Sequence, residues 1–224
     1  MKSFVIIGCA LLATSAHAVQ LEVGAGMTQY QTENGLWYQE NMPRNNVTKR
    51  SPAFSIGAVG PVVSRGRWGI DWHAGYVNLG RAAASCECTP MDENYDAKSA
   101  RYTPKYDVDN AYFSGSGRVQ GVAATLEPYY WLGGVRMGVE VGAFVYHGDW
   151  REDIAGWQVN RAVAPQSFSV GFHRWGVAPV AGLTVGDGQW SVTYRHYFLG
   201  KTRATAEFPP LWKDADVIEF KWRF

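Results

Sequence analysis

Along much of the chain, apolar residues recur at every second position. Val135, Met137, Val139, Val141, Ala143 and Val145 alternate with Arg136, Gly138, Glu140 and Gly142. A period of two belongs to an extended strand, whose successive side chains point to opposite faces. Seven further segments share it. Residues 19–30 set Val19, Leu21, Val23, Ala25 and Met27 against Gln20, Glu22, Gly24, Gly26 and Thr28. Residues 52–63 place Phe54, Ile56, Ala58 and Val62 on one face, and residues 68–79 oppose Trp68, Ile70, Trp72, Ala74 and Tyr76 to Asp71, His73 and Gly75. Residues 117–130 carry Val122, Ala124, Leu126 and Tyr130, and a segment ending near Val185 carries Trp175, Val177, Ala181 and Leu183. From Trp190, the residues Val192, Tyr194 and Phe198 oppose Ser191, Thr193, Arg195 and Tyr197. In the last segment, 216–224, Ile218, Phe220, Trp222 and Phe224 oppose Glu219, Lys221 and Arg223.

The connections also alternate. Turns at 64–67, 131–134 and 186–189 are short, and Asp187-Gly188 suits a type I′ hairpin. The stretches 32–51, 80–116, 149–168 and 200–215 are long and polar. Short turns on one side and long loops on the other, joining an even number of strands, predict an eight-stranded antiparallel up-and-down transmembrane β-barrel. In it the apolar faces meet lipid and the charged faces meet the lumen. Trp68, Tyr130, Trp131, Trp190, Trp222 and Phe224 fall at the short-turn ends, while Tyr30, Phe54, Tyr76 and Phe198 lie toward the other ends, as two aromatic girdles require.

Composition sharpens this reading. Mean hydropathy is −0.22, too polar for a helical membrane protein, yet the chain carries 10 Trp, 12 Tyr, 10 Phe and 25 Gly. A soluble β-sandwich would alternate too, but it does not call for aromatic bands. Residues 1–18 read as a cleaved signal peptide, with Lys2, the apolar run Phe4 to Ala13, and the small-x-small site Ala16-His17-Ala18, so that the barrel domain spans 19–224 from Val19. A loose lipobox ending at Cys9 is the alternative, and it would leave almost no apolar region. Lys2 is the only charged residue in the leader, so the processed chain has no formal net charge. That balance argues against a nucleic-acid binder.

Ile218, Phe220, Trp222 and the final Phe224 resemble the C-terminal assembly signal of bacterial outer-membrane proteins. With eight strands and a leader, the chain resembles the OmpA/OmpX-like group of small barrels. The resemblance implies integral placement in the cell outer membrane, contact with its lipid and lipopolysaccharide, and recognition of the last strand by the barrel-assembly machinery. No segment matches the peptidoglycan-binding domain of the OmpA type.

An eight-stranded barrel is narrow enough for side chains to fill. Glu22, Asp71, Arg136, Glu140, Arg195, Glu219, Lys221 and Arg223 are expected inside, with Glu127, as a structural charge network in which Glu22 pairs with Lys221 or Arg223. Cys86 and Cys88, in the longest predicted loop, read as a local disulfide in an oxidising compartment. A metal pair with Asp92 or Glu93 is the sharper alternative, though the spacing does not match zinc sites. His147 with Asp149, and His196 near Thr202 and Glu207, raise lipid A chemistry. The deacylase pattern fails because Phe198 stands where those enzymes have serine. No catalytic residue, cofactor or metal is assigned. The expectation is a non-enzymatic anchor whose four loops meet an unknown extracellular ligand, as in adhesion. A narrow pore and a lipid A-modifying enzyme are the alternatives.

Overall fold

The computed structural model describes residues 19–31, 46–88, 111–157, 164–200 and 213–224. The leader reading on 1–18 lies outside these residues, as do Asp92, Glu93, Thr202 and Glu207. Among the described residues there are nine strands: β1 (Gln20–Gln31), β2 (Asn46–Thr48), β3 (Arg50–Arg65), β4 (Trp68–Cys88), β5 (Ala111–Leu132), β6 (Val135–Trp157), β7 (Gln166–Gly186), β8 (Trp190–Tyr197) and β9 (Asp214–Arg223). All pairings are antiparallel. β2 and β3 lie end to end along β4, so together they take one place in the ring. The ring therefore has eight positions and closes where β1 meets β9, from Glu22 opposite Arg223 to Gln31 opposite Asp214. The fold is an all-β, closed antiparallel barrel.

The short turns follow backbone chemistry. β5 and β6 are joined by Gly133 and Gly134, at φ 58° and 91°. Positive φ at both central residues makes a tight hairpin that follows strand twist. Asp187-Gly188 behaves differently from the sequence expectation: Asp187 to Gln189 form a three-residue loop between β7 and β8. There Asp187 Oδ1 accepts backbone N–H groups from Gln189 at 3.0 Å and Trp190 at 2.8 Å. These N–H groups, Trp190 first, hold the Asp187 carboxyl below its ordinary pKa. Trp131 and Leu132, expected in a turn, belong to β5.

The predicted alternation decides which side chains face out. Val139, Val141, Val145, Leu183, Val192 and Ile218 are all exposed on the outer wall, where they form an apolar belt with their neighbours. Tyr30 departs from its expected girdle position: it is 1% exposed and points inward, where its hydroxyl donates to the Gly80 carbonyl at 2.9 Å.

The larger correction concerns strand length. Positions 80–116 and 149–168 were expected to be loop. Instead β4 continues to Cys88, β5 begins at Ala111, β6 runs to Trp157 and β7 begins at Gln166. The wall is consequently uneven, with 21 to 23 residues in each of β4 to β7 but 8 in β8 and 10 in β9. β7 pairs with β8 only over Val180 to Gly186. Among the described residues, no strand pairs with β7 on that side from Gln166 to Ala178.

Candidate functional site

Strand parity turns Glu22, Asp71, His73, Glu127, Arg136, Glu140, Arg195, Glu219, Lys221 and Arg223 into the lumen, and each is buried. They come from β1, β4, β5, β6, β8 and β9, at the short-turn end of the barrel. Glu22 meets both cations named for it, with Lys221 Nζ at 2.9 Å and Arg223 Nε at 3.0 Å. Arg136 Nη2 lies 2.7 Å from Asp71 and 3.2 Å from Glu127. Arg223 reaches the same two carboxylates at 3.5 and 3.3 Å. Arg195 Nη2 is 2.6 Å from Glu140, and its Nη1 is 3.6 Å from Glu219. The Thr125 and Thr184 hydroxyls also donate to Glu140, at 3.3 and 3.2 Å.

His73 joins two halves of this network. Its Nδ1 lies 3.3 Å from Glu22, and its Nε2 lies 2.8 Å from Glu127. Sequence reasoning placed His73 in the lumen but not among the network residues; its inward parity was the available signal. His73, Glu127 and Glu140 also bring one candidate ligand atom each within 4.8 Å of one another. Those atoms face Arg136, Arg195, Lys221 and Arg223, whose fixed positive charge opposes a metal ion there.

Above this layer the lumen changes character. Tyr30, Leu79, Phe113, Phe144, Trp150 and Tyr197 are fully or almost fully buried. The Phe144 ring stacks on Tyr146 at 5.6 Å and meets Tyr197 edge-on at 5.0 Å. Phe144, Tyr146 and Trp150 were not anticipated as interior residues, although their even positions share the face of Glu140. A cavity of about 20 Å³ lies beside Glu22, Ser55, His73, Thr125 and Arg195. That is room for about one water molecule. Among the described residues, a buried charged layer and a buried aromatic layer occupy the lumen, and we expect planar-bilayer recordings to show no single-channel steps. Stable conductance steps would mean a water path past Phe144 and Tyr197.

The histidines weighed for catalysis lie on the outer face. His147 packs on Trp175, with ring centroids 5.0 Å apart, while Asp149 accepts the Arg118 backbone N–H at 3.0 Å. His196 Nδ1 is 2.7 Å from Asp216, which also accepts the Tyr194 hydroxyl and Gln31 Nε2. Among the described residues, no serine, threonine or cysteine side chain bonds either imidazole, so neither forms a nucleophile–base pair. Cys86 lies in β4, not in a loop; its side chain is buried and disulfide-bonded. Cys88 is the last residue of β4, and its side chain lies outside the described set. Ile218, Phe220 and Phe224 are exposed on the outer wall. Trp222 stacks on Trp190, with centroids 4.7 Å apart and planes 7° apart.

No family model matches the chain, and no curated protein matches it. Among solved structures, the chain is similar to Ail, the attachment invasion locus protein of Yersinia pestis, at 12% identity and TM-score 0.42, over 92% of this chain and 97% of that one. A second Ail structure, in complex with the heparin analogue sucrose octasulfate, is 11% identical at TM-score 0.40, over 93% of this chain and 99% of that one. Likeness at this level assigns no function.

Proposed function

We propose that this chain is an integral outer-membrane protein that anchors a binding surface at the cell exterior. The observation that carries this reading is the outward apolar belt around a lumen already filled by side chains. A water-soluble barrel would place its polar residues outside. Here the charges are inside and the valines and leucines outside, the arrangement a hydrocarbon surround stabilises. Residues 1–18 act as the export leader. Ile218, Phe220, Trp222 and Phe224 form the outward stripe offered to the assembly machinery, and the belt contacts membrane lipid and lipopolysaccharide.

The tall β4–β7 wall supports a surface-binding role over transport or catalysis. Above the belt its outer face becomes polar, with Arg118, Asp149, Arg151, Asp153 and Ser169 all exposed or partly so. Among the described residues, β7 has no strand partner on its β8 side from Gln166 to Ala178, and such an edge can take an extended partner, a recurrent mode of recognition. A protein or glycan ligand at this wall, and at the loops it carries, is the best-supported role.

Val141→Arg tests the membrane placement. Val141 is 51% exposed in the middle of the belt. In lipid vesicles the variant should lose about 2–4 kcal/mol of unfolding free energy. A water-facing site would change by only about 0.5 kcal/mol. Urea unfolding of both proteins in the same vesicles decides between them, and an unchanged midpoint would reject the lipid-facing belt.

A further inference from the structure

We propose that His147 and His173 form a site for a divalent transition-metal ion, of the Cu²⁺ and Zn²⁺ class, on the outer face of the β6–β7 wall. The pairing sets His147 opposite Trp175 and Asp149 opposite His173, so the two imidazoles are diagonal neighbours. Their ring centroids are 5.7 Å apart and their planes 17° apart. A ring centre sits about 3 Å from a metal ion held by its nitrogen, so two rings on one tetrahedral ion have centres roughly 5 Å apart. Small rotations of two side chains on an open face cover the difference.

The hydrogen bonding separates this pair from the other described histidines. His73 has a carboxylate at each ring nitrogen. His196 has Asp216 at one and Asp214, at 3.8 Å, near the other. Among the described residues, His147 and His173 have only ring contacts, so their nitrogens are open to a ligand. Asp149 pairs in register with His173, but both its carboxylate oxygens turn to Arg118 on β5, so the ligands on offer are the two imidazoles. Arg118 holds Asp149 through the backbone N–H, with a longer Nε contact of 3.4 Å. Two imidazoles suit Cu²⁺ or Zn²⁺ better than Mg²⁺ or Ca²⁺, which favour all-oxygen sites. The lumen cluster around His73 offers similar atoms, but fixed cations crowd it. On the outer face, Asp149 offsets Arg118 and Asp153 offsets Arg151. The site stands on strand register and side-chain direction, and does not depend on where the barrel resides.

Trp175 supplies a reporter, since its ring packs on His147 and Cu²⁺ quenches nearby indole emission. Cu²⁺ alone should be titrated into the folded full chain in detergent micelles and followed by paramagnetic resonance and tryptophan emission. The expected result is one ion per chain, nitrogen hyperfine structure from two imidazoles, and quenching that Trp175→Phe removes. His147→Gln and His173→Asn should each weaken binding roughly tenfold or more. His196→Gln should leave it unchanged. All three side chains face outward, and circular dichroism of the same samples confirms the barrel before each titration. Absence of binding by the wild-type barrel at large Cu²⁺ excess would overturn the proposal. So would equal binding by the H147Q/H173N double variant.

Discussion

Glu140→Leu will destabilise the folded barrel by about 3–5 kcal/mol, the cost of breaking a buried ion pair by removing one partner. Glu140 is 0% exposed and takes Arg195 at 2.6 Å, Lys221 at 3.4 Å and two threonine hydroxyls. Leucine roughly preserves volume, so the loss comes from stranded charge and not from a cavity. Among the described residues, Arg195 would keep one ion-pair partner, Glu219 at 3.6 Å. Lys221 would still hold Glu22 at 2.9 Å, so the damage should fall mainly on Arg195. The double variant Glu140→Leu, Arg195→Met removes both charges and should regain much of the loss, because an apolar pair can replace a buried ion pair at little cost. Denaturant unfolding of the three variants in one detergent checks this. If the double variant is no better than the single, charge is not what the leucine disrupts.

Phe144→Ala should cost about 3–5 kcal/mol, the usual range for a fully buried aromatic. Phe144 is 0% exposed and sits between Tyr146 and Tyr197. The size of the effect tests whether the upper lumen is a packed core. In a water-filled lumen the ring would already be solvated, and truncation would cost little. Phe144→Leu should lose distinctly less than alanine in the same unfolding assay. Equal losses would point to a specific ring contact and not to filled volume.

These two layers show what the sequence makes legible and what it hides. The alternation of Val135 to Val145 assigns β6 and directs Arg136 and Glu140 inward without any structural information. The same parity runs on through His147, Asp149, Arg151 and Asp153, which also face out, while Trp150 faces in. What changes beyond Val145 is the chemistry, not the geometry. Above the belt the outer face turns polar and the inner face apolar, as in a sheet that meets water outside. A search for apolar residues on the outward positions therefore ends the strand about where the belt ends, and it reads the upper wall as loop. Tyr30 departs from its expected place for a related reason. Aromatic identity suggests a girdle, whereas its even position, shared with Glu22 and Thr28, directs it inward. Gly80, at φ 75° beside the register shift between Asn78 and Arg81, marks the irregularity that helped β4 look finished there. Which carboxylate meets which cation was only partly legible, since one inward face contains every combination until the ring closes.

The seam between β1 and β9 also acts as an error check on assembly. Pairing across it sets Glu22 opposite Arg223 and Gly24 opposite Lys221, with Glu219, Lys221 and Arg223 all inside. A strand displaced by a single residue exchanges its two faces. At this junction, such a slip would push three charged groups onto the apolar exterior, drive Phe220 and Trp222 inward, and leave Glu22 without either cation. Misregistered closure is therefore penalised on both faces of the wall at once. The strands that close the ring thus carry their alignment in charge on one face and in apolar contact on the other.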